Sequence, residues 1–345
     1  MKTRTYILTE TFVLESGHKV SDIPICYSTA GQLNADGSNV IVVCHALTAS
    51  SNVQDWWSGL YGRGNVFDPE QYFIICINNM GSPYGTWSPK SINPDTGEVY
   101  GMEFPFFTLR DTSRLHLALL RNLGITEIDL LIGGSCGGNI AQEIACMMGD
   151  SIRQLVLICC SAKESPWVIS IHESQRIALR ADPTFGQDPK GGTEGVRAAR
   201  ACALPFYRSH ASFTIRQSEE DDNVIKGFKA VSYIRYQGQK FVDRYDPYCY
   251  FHQLNVLDTH NIGRDRGGIS AALNTITAHT LCIGFSSDLL IPVVEQHSLA
   301  EHIPTAHYGE IETDFGHDAF LIETEALKSL ILRFRTEVDT YDSPM

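Results

Sequence analysis

The chain has no apolar stretch near the roughly 20 residues that a helix needs to cross a bilayer. Its first residues, Met1-Lys-Thr-Arg-Thr-Tyr, contain no apolar core of a secretion signal. No cluster of lysines or arginines occurs: 27 basic against 40 acidic side chains leave a net charge of −13 over 345 residues. That balance argues against a nucleic-acid partner. No Cys-x-x-Cys pair is found among the ten cysteines, so a zinc ribbon or a redox dithiol is not expected. Cys44, Cys76, Cys159, Cys160 and Cys282 fall inside apolar runs, as buried, reduced thiols do. Repeats and low-complexity segments are missing too. These absences leave a soluble, cytoplasmic protein with no membrane segment, long enough for one large domain or a core plus an insertion.

What is present reads as an α/β fold. Short apolar runs at Asn39–His45, Tyr72–Ile77, Leu130–Ile132, Gln154–Cys160 and Thr280–Phe285 have the composition of buried parallel strands. Helix-like segments alternate with them, which predicts a mainly parallel sheet flanked by helices. Thr108–Leu123 carries Leu115, Leu119 and Leu123 at fourfold spacing and ends at Gly124, a candidate C-cap. Strand signals vanish between Glu164 and Ala278. Amphipathic stretches take their place at Gly195–Tyr207, Asn223–Tyr245 and Tyr248–Asp258, the last with Tyr250, Leu254 and Leu257 on one face. We therefore expect a core made of residues 1–163 and 279–345 and a helical lid over 164–278. The lid would cover the carboxyl edge of the sheet, where open α/β folds bind ligands. A last helix is expected over Glu323–Phe334, followed by a polar, frayed tail.

The chemistry centres on Gly133-Gly134-Ser135-Cys136-Gly137, a Gly-x-Ser-x-Gly pattern. Alone it is weak. Here an apolar strand precedes it and a helical pattern with Ile140, Ile144 and Met147 follows, the setting of a nucleophile elbow. A serine nucleophile needs a base, and the base an orienting carboxylate. In hydrolases of this fold they follow in the order Ser, Asp or Glu, His. Asp288 stands just past a predicted strand, and His317 stands in a loop before the final helix. A single Asp after a strand is most often a turn residue, and most of the 12 histidines must be structural. Order and context together select Ser135, Asp288 and His317. Cys136 lies one residue past the elbow tip, so its backbone N–H is the candidate oxyanion donor. The second donor is the N–H of Leu47, in the loop after the first buried strand. The glycines could suggest a phosphate cradle, but the Gly-Lys-Ser/Thr ending is absent. Gly263-Arg-Asp-Arg-Gly-Gly is read as a plain charged loop.

With these residues in view, the chain resembles the homoserine O-acyltransferases of the α/β-hydrolase fold from about Asn39 to the final helix. The matching segments are Val43-Cys-His-Ala-Leu-Thr48, Ser91-Ile-Asn-Pro-Asp-Thr-Gly97, Phe104-Pro-Phe-Phe-Thr-Leu-Arg-Asp111, Gly133-Gly-Ser-Cys-Gly-Gly138, Arg235-Tyr-Gln-Gly-Gln-Lys-Phe241, Asp288-Leu-Leu-Ile-Pro and Gly316-His-Asp-Ala-Phe320. The resemblance implies a ping-pong O-acyltransferase in methionine biosynthesis. Ser135 would take an acyl group, most simply acetyl, from acyl-CoA and pass it to L-homoserine. Arg200 would hold the acceptor carboxylate, Tyr207 would help bind it, and Asp318 would hold its ammonium. Acyl-CoA is a substrate, and neither a cofactor nor a metal is implied. A homodimer through the lid is implied as well. The alternatives are L-serine as acceptor, one methylene shorter, succinyl as the acyl group, and a serine esterase or thioesterase in which water is the acceptor. Two departures stand out. Cys136 replaces the family's usual Met, leaving room for a larger acyl chain, and Trp87 is unusual in a loop expected near the acyl pocket.

Overall fold

The structure is a computed structural model that describes residues 1–342, Tyr341 and Asp342 by their backbone alone. The described strands are β1 (Lys2–Leu8), β2 (Phe12–Val13), β3 (Lys19–Val20), β4 (Ile23–Ala30), β5 (Val40–Cys44), β6 (Phe73–Ile77), β7 (Ile128–Gly134), β8 (Ile152–Ile158), β9 (His279–Phe285) and β10 (Ala306–Ile311). Eight form one sheet in the order β1-β4-β6-β5-β7-β8-β9-β10, and β2 pairs with β3 apart from it. From β6 to β10 the pairings are parallel; β1–β4 and β4–β6 are antiparallel.

The five expected strands are all present, and they are the central, doubly covered ones. In β5, Val40, Val42 and Cys44 face one apolar layer while Ile41 and Val43 face the other. Both faces bury apolar side chains, so these strands read as continuous apolar runs. The first layer packs on α2 (Leu109–Asn122) and α3 (Cys136–Met148). The opposite layer packs on α1 (Val53–Trp56) and the final helix, through Leu327, Ile331, Phe334 and Val338. Helix α2 starts where expected. Thr108 caps it, accepting from Asp111 N at 3.1 Å, and Asp111 accepts in return from Thr108 N at 3.1 Å. This reciprocal box satisfies two N–H groups that a helix start would otherwise leave unpaired.

Between β8 and β9 the chain makes six helices and no strand: α4 (Pro166–Arg180), α5 (Thr193–Tyr207), α6 (His210–Gln217), α7 (Lys229–Val242), α8 (Pro247–Asp258) and α9 (Ile269–Leu273). Four of them, α4, α5, α7 and α8, share an apolar cluster of their own, including Leu179, Val196, Phe241, Tyr245, Tyr250 and Leu254. Two expectations need correction here. The stretch Asn223–Tyr245 is helical only from Lys229, its first part being a turn before Phe228. Helix α8 is not amphipathic: Tyr248 through Leu254, Val256 and Leu257 are all buried. It is wedged between the helical cluster, which takes Tyr250 and Leu254, and the main core, which takes Val256 and Leu257. The charged segment at Gly263 is a loop, as expected, and ion pairs hold it. Arg264 pairs with Glu15 at 2.6 Å and Arg266 with Glu143 at 2.8 Å, and Arg110 bridges the same two carboxylates.

The chain closes with α10 (Val293–His302), α11 (Ala319–Ile322) and α12 (Thr324–Asp342). The last helix outruns the expected Glu323–Phe334 and takes up most of the polar tail; residues 343–345 lie outside the described residues. No described helix is long and apolar enough to cross a membrane.

Candidate active site

The carboxyl end of β7 turns sharply into α3, and Ser135 sits at the tip with φ +55° and ψ −128°. A non-glycine residue there is strained, and the surrounding structure must hold it. The neighbouring glycines allow this. A Cβ on Gly137 would lie 2.0 Å from the Cys44 carbonyl oxygen. The first turn of α3 therefore presses against the end of β5, which brings the loop Ala46–Thr48 beside the elbow. Gly137→Ala is expected to cost about 3 kcal/mol as overpacking against rigid backbone. Chemical denaturation checks this, and an unchanged midpoint would contradict the close approach.

Three side chains expected together are together. His317 Nε2 lies 2.9 Å from Ser135 Oγ, and His317 Nδ1 lies 2.7 Å from Asp288 Oδ2. With Nδ1–H donating to the carboxylate, Nε2 is left to accept the serine proton. Asp288 is fixed in turn: its Oδ1 accepts from Leu290 N and Ile291 N, each at 2.9 Å. Burial pulls the His317 pKa down, but the charge and hydrogen bond of Asp288 outweigh it, so the net shift is upward. Among the described residues, one group gathers possible metal ligands within 4.8 Å: Cys159, Asp288 and His317. Both ring nitrogens of His317 are already engaged, and burial pushes the Cys159 thiol well up. A neutral thiol is a poor ligand, so this group suits proton handling better than metal binding.

Cys136 opens α3, so its N–H belongs to the helix's first, unpaired turn. Its thiol is buried in the core and pushed up to about 12, mainly by burial, so it is no competing nucleophile at neutral pH. Leu47 borders the same cavity. The loop carrying it is held from three directions. His45 Nδ1 donates to Ala46 O at 2.8 Å, while its Nε2 accepts from Asn79 N at 3.0 Å. Tyr245 OH donates to Leu47 O at 3.0 Å, and Arg244 Nη1 donates to Thr48 O at 2.6 Å. The last two come from the segment after α7, so the helical insertion orients the peptide groups next to the elbow.

A cavity of about 520 Å³ opens above Ser135 and is bordered by Arg200, Tyr207 and Asp318 as well as by Ser135 and His317. Arg200 and Tyr207 share α5, and the guanidinium lies 4.9 Å from the Tyr207 ring and 5.1 Å from that of Phe241. The Tyr207 ring stands 6.3 Å from that of His317. Asp318 is not free: Arg208 Nη1 lies 3.2 Å from its Oδ2. Arg208 was not foreseen from the sequence, nor were Arg244, Tyr245 or Glu164, which all act on the site across long chain separations. Trp87 is the reverse case. It does not line the cavity but packs 4.4 Å from Phe104 in an aromatic cluster with Tyr100.

The sheet order, the elbow and the Ser–Asp–His order define an α/β-hydrolase-fold protein, and a sequence profile of the alpha/beta hydrolase fold matches residues 39–324. The homoserine O-acetyltransferase of Cyclobacterium marinum is 39% identical, covering 98% of this chain and 96% of its own. That of Saccharomyces cerevisiae is 37% identical, covering 93% and 84%. The crystal structure of homoserine O-acetyltransferase from Bacillus anthracis superposes with a TM-score of 0.88 over 97% of both chains; at 24% identity it supports the fold alone. The chain belongs to the homoserine O-acetyltransferase family.

Proposed function

We propose that this chain transfers an acetyl group from acetyl-CoA to the hydroxyl of L-homoserine, a step of methionine biosynthesis. The observation that carries the reading is one cavity that joins the hydrogen-bonded line Ser135–His317–Asp288 to a guanidinium, Arg200, and a carboxylate, Asp318. Water as acceptor would need neither charged group.

In the first half-reaction His317 takes the Ser135 proton, and Oγ attacks the thioester carbonyl. The N–H groups of Leu47 and Cys136 receive the oxyanion. The C–S bond breaks, and the sulfur leaves with the proton from His317. In the second, His317 deprotonates the homoserine hydroxyl, whose oxygen attacks the acetyl-serine; Ser135 leaves and regains its proton from His317. Arg200 forks onto the acceptor carboxylate, with Tyr207 packed beneath it, and Asp318 takes the ammonium on the oxygen that Arg208 leaves open. Residues 164–278 act as the lid that keeps water from the acyl-enzyme. The insertion also exposes apolar side chains, Ile215, Ile225, Phe228, Val231 and Tyr236. They support a homodimer formed through the lids. Ten unpaired thiols, most of them buried, fit a reducing, cytoplasmic setting.

The deciding experiment follows release of free CoA from acetyl-CoA with L-homoserine, with L-serine and with no amino acid. Release that depends on homoserine supports the reading. Serine-dependent release moves the acceptor, and equal release without amino acid makes the protein a hydrolase. Succinyl-CoA replaces acetyl-CoA in a parallel set.

The pH profile is a second test. His317 acts only as the neutral base, so kcat/KM for acetyl-CoA should rise with pH and half-saturate above the ordinary 6.5, since the Asp288 partnership holds the imidazolium form. A midpoint below 6.5 would remove His317 from the role.

A further inference from the structure

The helix α4 runs up one side of the cavity. Glu164 lies just before its cap, Ser165, and is followed by Val168 and His172 on the cavity wall. Gln175, one turn further on, hydrogen-bonds to Tyr250. At about 1.5 Å per residue, the helix rises roughly 14 Å from Pro166 to Gln175. Tyr250 packs on Phe241, ring centroids 4.9 Å apart, and Phe241 carries the Arg200 guanidinium. Arg200 is thus tied to the far half of α4, while Glu164, at the start of the helix, is taken as the floor of the cavity. Glu164 is also close enough to Cys136, the residue next to the nucleophile, for its charge to raise the thiol pKa.

Glu164 is anomalous where it stands. It is 3% exposed, borders the cavity, and its Oε1 finds no hydrogen-bond partner among the described residues. On α4, Arg176 lies 2.7 Å from Asp258 and 2.6 Å from Glu173, and His172 Nδ1 is 2.7 Å from Asp258. Burial, with Asp258 and Glu295 adding, lifts the Glu164 pKa to about 8, so the group is mostly an uncharged acid at neutral pH. A buried polar group without a partner is costly unless water or ligand reaches it. The mechanism above gives it no role.

The tetrahedral intermediate on Ser135 fixes what meets this floor. Its oxyanion faces the N–H groups of Leu47 and Cys136, and the sulfur or oxygen that leaves or enters faces His317. That leaves the remaining substituent, the acyl chain, the part of the cavity lined by Glu164, Val168, Leu257, Leu290 and Ile291. We infer that Glu164 sets the acyl chain length, as a polar floor that admits acetyl and rejects longer apolar chains. An acetyl group leaves room for water on the carboxyl. A butyryl chain displaces that water and offers no hydrogen bond in return. The walls alone are apolar and would accept the longer chain, because an apolar pocket discriminates only weakly against added methylenes, whereas a site that must leave a buried polar group unpaired discriminates strongly.

This inference rests on the acyl-Ser135 reading and deepens it. The test compares kcat/KM for acetyl-, propionyl- and butyryl-CoA, with homoserine as acceptor, in the wild type, Glu164→Met and Glu164→Gln. Met matches the glutamate in size but needs no partner; Gln keeps the polar head. Glu164→Met should raise the butyryl-to-acetyl ratio by about 10-fold to 100-fold. Glu164→Gln should stay within about threefold of the wild-type ratio, since it leaves the same group to be desolvated. An unchanged ratio in the Met variant overturns the inference, and so does a Gln variant that moves as far as Met, because a merely structural role would respond to any change. Glu164→Met removes an unpaired buried polar atom and should melt no earlier than the wild type. If no acyl-CoA supports transfer in the wild type, the acyltransferase reading has failed instead.

Discussion

Ser135→Ala is expected to lower acetyl transfer by about 10⁴-fold or more while leaving the fold intact. Both parts follow from the elbow. The positive φ at residue 135 is imposed by the turn and by the close approach of Gly137 to Cys44, and an alanine Cβ occupies the same space as the serine Cβ. The variant therefore keeps the strain it inherits, and Tm should move by no more than about 2 °C. Only the Oγ is lost, and with it the bond that carries the acyl group between half-reactions. Intact-mass measurement after mixing with acetyl-CoA alone separates this from a weaker role. The wild type should show an acetylated chain and the variant none. An adduct that persists in the variant and maps to Cys136 would move the nucleophile by one residue. Substantial transfer without an adduct would replace the ping-pong scheme by direct transfer, with Ser135 as a bystander.

The strands most legible in the sequence are those buried on both faces. β5, β7, β8 and β9 are covered on both faces, so their apolar runs are continuous and hard to mistake. β1, β4 and β10 were not foreseen. β1 and β10 are edge strands with polar and half-exposed side chains, and β4 carries Pro24, Ser28 and Thr29. Pro24 is tolerated because β6 pairs only with Tyr27–Ala30, so at Pro24 the ladder is one-sided. The same contrast holds within the site. Ser135, Asp288 and His317 stand at strand exits in a telling order, and that order is a property of the sequence. Arg208 on Asp318 and Tyr245 on Leu47 are contacts between distant segments, and Glu164 reaches the cavity beside Cys136 from a third. Their local sequence shows only an arginine after a helix, a tyrosine in a turn and a glutamate before a cap. Helix α8 was misjudged for the same reason: its second apolar face exists because two cores meet there, which no single-helix periodicity records.

Arg200→Ala is expected to lower kcat/KM for homoserine by about 10²-fold or more, the usual cost of removing one partner of a desolvated charge pair, and to leave kcat/KM for acetyl-CoA within about threefold. In a ping-pong scheme each second-order constant reports only its own half-reaction, so a residue that touches only the acceptor changes one constant and spares the other. The position of Arg200 makes the division sharp. It packs on Tyr207 and Phe241 in the cavity wall, while the acyl group is passed at Ser135. Because the guanidinium also packs on two rings, alanine removes packing together with charge. Arg200→Lys separates the two: it keeps a cation but loses the planar fork and most of the ring contact, and it should fall between wild type and alanine. A second control uses the amino alcohol that lacks the acceptor's carboxylate. For that substrate the wild type has nothing to hold with Arg200, so wild type and Arg200→Ala should perform alike. A deficit of the same size for both acceptors would mean that Arg200 supports the walls of the site. Equal falls in the donor and acceptor constants would remove it from acceptor binding altogether.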